Sequence, residues 1–149
     1  MVQSSSQNYN AYIDTSVLLR LAFGEPNPIE QLDQTIGIVS SELLKLECLR
    51  AIDRMKKNFS IPDEEVAQRN EKIFYLLKKI ELIPVSSRVL DEASQSFPIV
   101  LGSLDSIHLA SALLWQKSEA KQLVMLTHDK TLGRAARSVG MQVLGCAED

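Results

Sequence analysis

The sequence predicts an α/β protein, a three-layer α/β/α sandwich built on a mainly parallel sheet. Two observations carry this. Short apolar runs alternate along the whole chain with longer stretches of apolar residues at helical spacing. Twice, moreover, an apolar run leads through an acid straight into a new helical period, at Asp14 and again at Asp129.

Taken in order, Met1 to Asn8 is rich in Ser, Gln and Asn and reads as a mobile tail, leaving residues 9–149 as one domain. The first strand ends at Asp14. Val17, Leu18, Leu21 and Ala22 then fall at helical spacing until Gly24, Pro26 and Pro28 break the helix, and a short helix is expected over Ile29 to Gln34. Thr35 to Val39 is short and β-branched and reads as the second strand, with Ser40 and Ser41 as caps for a helix over Glu42 to about Asn58. Its apolar face is Leu44, Cys48, Ala51, Ile52 and Met55. Pro62 suits the first turn of the next helix, whose buried stripe is Val66, Ile73, Leu77 and Ile80. A third strand is expected near Leu82 to Val85, followed by a helix capped by Ser87 that runs to about Phe97. Leu104 to Trp115 is apolar nearly all round, as a helix buried between sheet and neighbours should be, with Asp105 in its first turn. Leu123 to Leu126 is a strand, Leu132 to Val139 a helix, Gly140 a left-handed stop, and Gln142 to Leu144 a last short strand.

The 149 residues suffice for one domain with a real core, and a hydrophobic share of 45% with 23% charged residues excludes a disordered chain. No apolar run approaches the roughly 20 residues of a membrane span, and the start lacks the layout of a signal peptide, so a cytoplasmic address is expected. Cys48 and Cys146 match no disulfide or zinc spacing and read as apolar fillers. A net charge of -3 argues against a protein that coats nucleic acid through phosphate contacts, but not against a nuclease whose carboxylates lower the net charge while a local basic rim grips.

Asp14, Asp105 and Asp129 each have a capping or first-turn explanation. Three carboxylates at one edge of one sheet would nevertheless repel one another, two charges about 4 Å apart costing roughly 4 kcal/mol at an effective dielectric near 20. A hard divalent cation, Mg²⁺ or Mn²⁺, is the natural counter-charge. Glu47 is a fourth candidate, since it stands among Leu43, Leu44, Leu46, Cys48 and Leu49. A surface ion pair with Arg50 at i+3 is the alternative. His108 shares a helix face with Asp105, which admits a metal-ligand reading, but imidazole suits Mg²⁺ poorly. Trp115 and Phe74 read as core, and His128 is given no role.

Tyr12-Ile13-Asp14-Thr15-Ser16-Val17-Leu18, the run from Ser40 through Glu47 to Ala51, Leu104-Asp105-Ser106-Ile107-His108-Leu109-Ala110-Ser111-Ala112, and Leu126-Thr127-His128-Asp129-Lys130-Thr131-Leu132 resemble the four acidic motifs of the PIN-domain family, and within it the VapC toxins of toxin–antitoxin pairs. The resemblance spans nearly the whole chain. It implies a Rossmann-like, PIN-like fold and a divalent-metal-dependent endoribonuclease, a hydrolase of RNA phosphodiesters and the toxin of such a pair. By this resemblance Asp14, Asp105 and Asp129 would hold Mg²⁺ (or Mn²⁺), and Glu47 would hold or deprotonate the attacking water. Ser16 and Thr127 would orient the carboxylates. For gripping RNA phosphates the arginines Arg50, Arg54, Arg134 and Arg137 suit as forks, with Lys56, Lys57 and Lys130 beside them, although for the lysines a solvated charged face is the plainer reading. The implied partners are the RNA substrate, an antitoxin protein covering the acidic cleft and a second copy in a homodimer, with no membrane involved. Two rivals stand beside this reading: an RNA-processing PIN nuclease without antitoxin, and a catalytically silent RNA-binding or scaffolding PIN module. The presence of all four acids tells against the silent module.

Overall fold

The computed structural model describes residues 8–24 and 35–146. The expected tail, apart from Asn8, and the expected short helix at 29–34 lie outside them. Among the described residues five strands form one sheet in the order β3-β2-β1-β4-β5, every pairing parallel. They are β1 (Tyr9–Ile13), β2 (Thr35–Ser41), β3 (Glu81–Ile83), β4 (Leu123–Leu126) and β5 (Gln142–Leu144). Among the described residues the helices are α1 (Thr15–Phe23), α2 (Leu43–Phe59), α3 (Asp63–Leu77), α4 (Ser87–Ala93), α5 (Ser103–Glu119) and α6 (Lys130–Ser138).

Alternation along the central strands creates the two outer layers. From β1 and β4, Ala11, Ile13, Val124 and Leu126 pack with Leu18, Leu44, Cys48, Ile52 and Ile73, which belong to α1, α2 and α3. Tyr12, Leu123 and Met125 face the other way, onto Leu109 and Ala112 of α5 and Leu132, Ala135 and Ala136 of α6. β4 is buried along its whole length, which is why it reads as an unbroken apolar run. α1 stops at Gly24, whose φ of +63° is the left-handed conformation that favours glycine.

The chain builds outward from β1 through β2 to β3, then returns to the other side of β1 for β4 and β5. The strand order therefore reverses between β1 and β4. Outside the carboxyl ends of the strands at such a point lies the crevice in which α/β sheets bind ligands.

Several local expectations are corrected. Ser40 and Ser41 belong to β2; Ser40 does not cap, its Oγ donating to the Ile13 carbonyl at 2.6 Å, whereas Ser41 Oγ does accept from a first-turn N–H of the following helix, that of Leu43, at 3.2 Å. Ser86, not Ser87, caps α4, accepting from the Val89 N–H at 3.2 Å. That helix ends at Ala93 instead of Phe97 because the side chains of Ser94 and Gln95 donate to the carbonyls of Leu90 and Asp91. β3 stops at Ile83, ahead of Pro84, which has no N–H for the ladder. Phe74 is 43% exposed, with the Lys45 ammonium 5.6 Å from its ring centroid, so it is not core.

Candidate functional site

Asp14 follows β1 directly and is 5% exposed. Its Oδ1 accepts from Ser16 Oγ at 2.6 Å and from the Val17 N–H at 3.4 Å, so it caps α1. Its Oδ2 accepts from Thr127 Oγ1 at 2.7 Å. Thr127 reaches it because Ile13 and Leu126, the last residues of β1 and β4, stand opposite each other in the ladder. Burial raises the carboxyl pKa of Asp14, while the bonds from Ser16 and Thr127 pull the other way.

Thr127 is fully buried and bonds two acids' neighbourhoods at once, since its Oγ1 also accepts from the Asp129 N–H at 3.0 Å. Asp129 in turn caps α6, its Oδ1 accepting from the Leu132 N–H at 3.0 Å. Ser16 ties the same loop, its Oγ accepting from the His128 N–H at 3.0 Å. Cys146 adds a restraint that sequence reasoning missed: its thiol lies 3.2 Å from the Thr127 carbonyl and 3.4 Å from that of Asp129, donating into this turn.

Asp105 lies in the first turn of α5. Its carboxyl is raised to about 6, chiefly by burial and then by the charge of Asp129, with Asp14 and Glu47 adding to the rise. The charges of three acids distant in sequence thus act on Asp105. Glu47, on α2, has an exposed fraction of 20% and bonds His108 of α5, Oε1 to Nε2, at 2.6 Å. α2 and α5 belong to opposite layers. The bond spans from one to the other.

The Glu47–Arg50 pair is replaced by two others: Glu47 with His108, and Arg50 with Asp53 at 3.1 Å. His108 is correspondingly no metal ligand in this arrangement, for its Nδ1 is paired with the Tyr12 hydroxyl at 2.7 Å. The buried tyrosine and histidine were missed as a unit, though a hydroxyl in a core strand and an imidazole on an apolar helix each demanded a partner. Arg50, Arg54 and Arg134 are exposed. At about 100° per residue Arg54 lies nearly in line with Glu47 along α2, and Arg134 lies on α6 behind Asp129.

The donor set is all oxygen and anionic, which fits a hard divalent cation. Among the described residues no group of three or more His, Cys, Asp or Glu side chains is gathered tightly enough to hold an ion as it stands. The fit therefore rests on the chemistry of the donor set. No helix among the described residues is long and apolar enough to cross a membrane.

Residues 11–138 match the family model described as the PIN domain. The chain is 29% identical over 136 residues to Ribonuclease VapC47 of Mycobacterium tuberculosis (strain CDC 1551 / Oshkosh), covering 87% of this chain and 91% of that protein. It is 31% identical over 137 residues to Ribonuclease VapC46 of Mycobacterium tuberculosis (strain ATCC 25618 / H37Rv), covering 89% and 95%. Among solved structures, a toxin–antitoxin complex from Klebsiella pneumoniae has a chain with a TM-score of 0.57 at 18% identity, over 90% of this chain and 95% of that one. VapBC2 from Rickettsia felis, bound to a DNA fragment from its promoter, has one with a TM-score of 0.64 at 14% identity, over 91% and 97%. At these identities the two structures bear on the fold, and they share it.

Proposed function

The chain belongs to the PIN-domain family, and on that premise we propose that it is a divalent-metal-dependent endoribonuclease, the toxin of a toxin–antitoxin pair. The observation that carries the reading is the tie between two acids at the carboxyl edge of the sheet: Thr127 Oγ1 donates to Asp14 at 2.7 Å and accepts from the Asp129 N–H at 3.0 Å, while burial and the charge of Asp129 raise the carboxyl of Asp105. Acids that perturb one another at a topological switch point form a site built to receive positive charge.

In this reading Asp14, Asp105 and Asp129 hold Mg²⁺ or Mn²⁺. When bound, the cation supplies charge stabilisation to the phosphate and makes water acidic enough to attack near neutral pH. The chain's own residues do the remainder. Ser16 and Thr127 fix the Asp14 carboxylate in one orientation, so it need not reorganise during the reaction. Glu47 accepts a proton from the attacking water and holds that water by a hydrogen bond. Arg50, Arg54 and Arg134 contact the RNA backbone through guanidinium forks that match phosphate oxygens. No protein nucleophile is required.

The names of the two mycobacterial relatives support ribonuclease activity, and the two toxin–antitoxin structures support an antitoxin partner. The antitoxin covers the acidic cleft. A homodimer belongs to the same reading, and Leu90, Val100 and Leu104, all exposed on or beside α4 and α5, offer apolar surface for it.

The deciding experiment is Asp14→Asn. Asparagine keeps the shape and can still accept at Oδ1, and the hydroxyl of Thr127 can turn to accept from the amide. The variant folds and loses Mn²⁺-dependent cleavage of single-stranded RNA. Retained cleavage overturns the assignment.

A further inference from the structure

We propose that His108 is a positioning residue for catalysis: through a buried Tyr12–His108–Glu47 chain it holds the Glu47 carboxylate in its working orientation. This rests on the ribonuclease reading, in which Glu47 handles the attacking water.

The geometry is complete at every atom of the chain. The His108 ring is 1% exposed, so water does not reach it, and both nitrogens are occupied. Nε2 lies 2.6 Å from Glu47 Oε1, and Nδ1 lies 2.7 Å from the Tyr12 hydroxyl, itself fully buried. In this arrangement the Glu47 oxygen accepts, so Nε2 carries the proton and donates. The phenol then donates to Nδ1 and fixes that tautomer. The two rings meet edge to face, their centroids 5.8 Å apart at 80°, which fixes the imidazole plane.

The chain also has a mechanical meaning. Tyr12 belongs to β1, the strand that delivers Asp14, and His108 stands one turn after Asp105 on α5. Glu47 comes from α2, in the opposite layer. Its long side chain has three rotatable bonds, and without a restraint it would spread over several rotamers. The His108 bond ties one carboxylate oxygen to the two elements that carry Asp14 and Asp105, leaving the other oxygen for water. A histidine that merely filled the core would need no second, anionic partner at the edge of the crevice.

The test has a structural and a kinetic arm. The chain has two histidines, so ¹⁵N spectra of the metal-free protein, assigned with His108→Gln, report the His108 protonation site directly. The expected result is a proton on Nε2. An imidazole protonated at Nδ1 alone overturns the proposal. In Mn²⁺-dependent cleavage, His108→Leu is expected to lower kcat by about 10- to 100-fold, with a smaller change in KM. His108→Gln, whose amide N–H can still donate to Glu47, recovers part of that loss. A folded His108→Leu with kcat within about twofold of the parent, or a Gln variant no better than Leu, overturns the proposal. Glu47→Gln separates the two levels. Full cleavage there overturns the proposal together with the water-handling role of Glu47, whereas loss there with full activity in His108→Leu overturns the proposal alone.

Discussion

Replacing Asp105 with asparagine should make the metal-free protein more stable. The carboxyl sits at about 6 in the fold against a usual 3.8, from burial first and the charges of Asp129, Asp14 and Glu47 thereafter. Between those two values the folded protein retains a proton that the unfolded chain has released, so stability falls as pH rises through that window, and the full cost is present above about 6. A displacement of roughly two pH units corresponds to about 3 kcal/mol. Asp105 is only half-buried, so solvent screening reduces this to about 1–2 kcal/mol. Asparagine removes the charge and keeps the shape, and for a domain of this size the gain amounts to about 2–8 °C in Tm. Thermal melts of Asp105→Asn and the parent, in chelator, from about pH 4 to pH 8 should show a difference that is largest at the alkaline end and vanishes near pH 4. A variant less stable than the parent at neutral pH, or an advantage that persists undiminished in acid, would refute the electrostatic account of the site.

The parent protein, in contrast, should gain about 2.7 kcal/mol at Mg²⁺ or Mn²⁺ near 100 times Kd, and differential scanning fluorimetry would detect it; absence of a shift in the parent, or an equal shift in Asp105→Asn, counts against the cation site. Thr127→Val removes a fully buried hydroxyl that donates to Asp14 and accepts from the Asp129 N–H, and urea denaturation should register a loss of about 1–3 kcal/mol. Arg50→Ala breaks only an exposed pair with Asp53, which Lys57 also bonds, so stability should move by less than about 0.5 kcal/mol. The salt dependence of RNA binding should nonetheless become shallower by about 0.7 in log–log slope; an unchanged slope would exclude Arg50 from the RNA contact.

The layers and the sheet were legible in the sequence because burial on one or both faces writes a period into the chain. β4, closed in on both sides, appears as Leu123 to Leu126 without a polar interruption, and α5 is apolar nearly all round for the same reason. Asp14 and Asp129 were visible because each ends an apolar run and opens a helix. What the sequence does not carry is pairing across long separations. Glu47 has a plausible local partner in Arg50 at i+3, yet it pairs with His108, 61 residues away. Nothing in a window of one helix distinguishes these. Phe74 misled for a related reason: it stands next to the buried Ile73 on α3, yet it is 43% exposed, with the Lys45 ammonium 5.6 Å from its ring centroid.

Helix cap and cation ligand are compatible duties for Asp14, and the hydrogen-bond arithmetic shows why. A carboxylate offers roughly four lone-pair sites. Ser16, Val17 and Thr127 occupy three of them, at 2.6, 3.4 and 2.7 Å. The capping bond is the long one, so the helix makes the weakest claim on this side chain, while the two hydroxyls make the strongest. Those hydroxyls also engage the backbone of His128 and Asp129, so whatever holds Asp14 in place also sets the turn that carries Asp129. The remaining site on Asp14 is available to a cation without breaking any of these bonds. A substitution that deletes the carboxylate, such as Asp14→Ala, would therefore confound loss of function with collapse of the turn. Asp14→Asn leaves the scaffold and removes the charge, which makes it the substitution whose failure to abolish cleavage would carry weight.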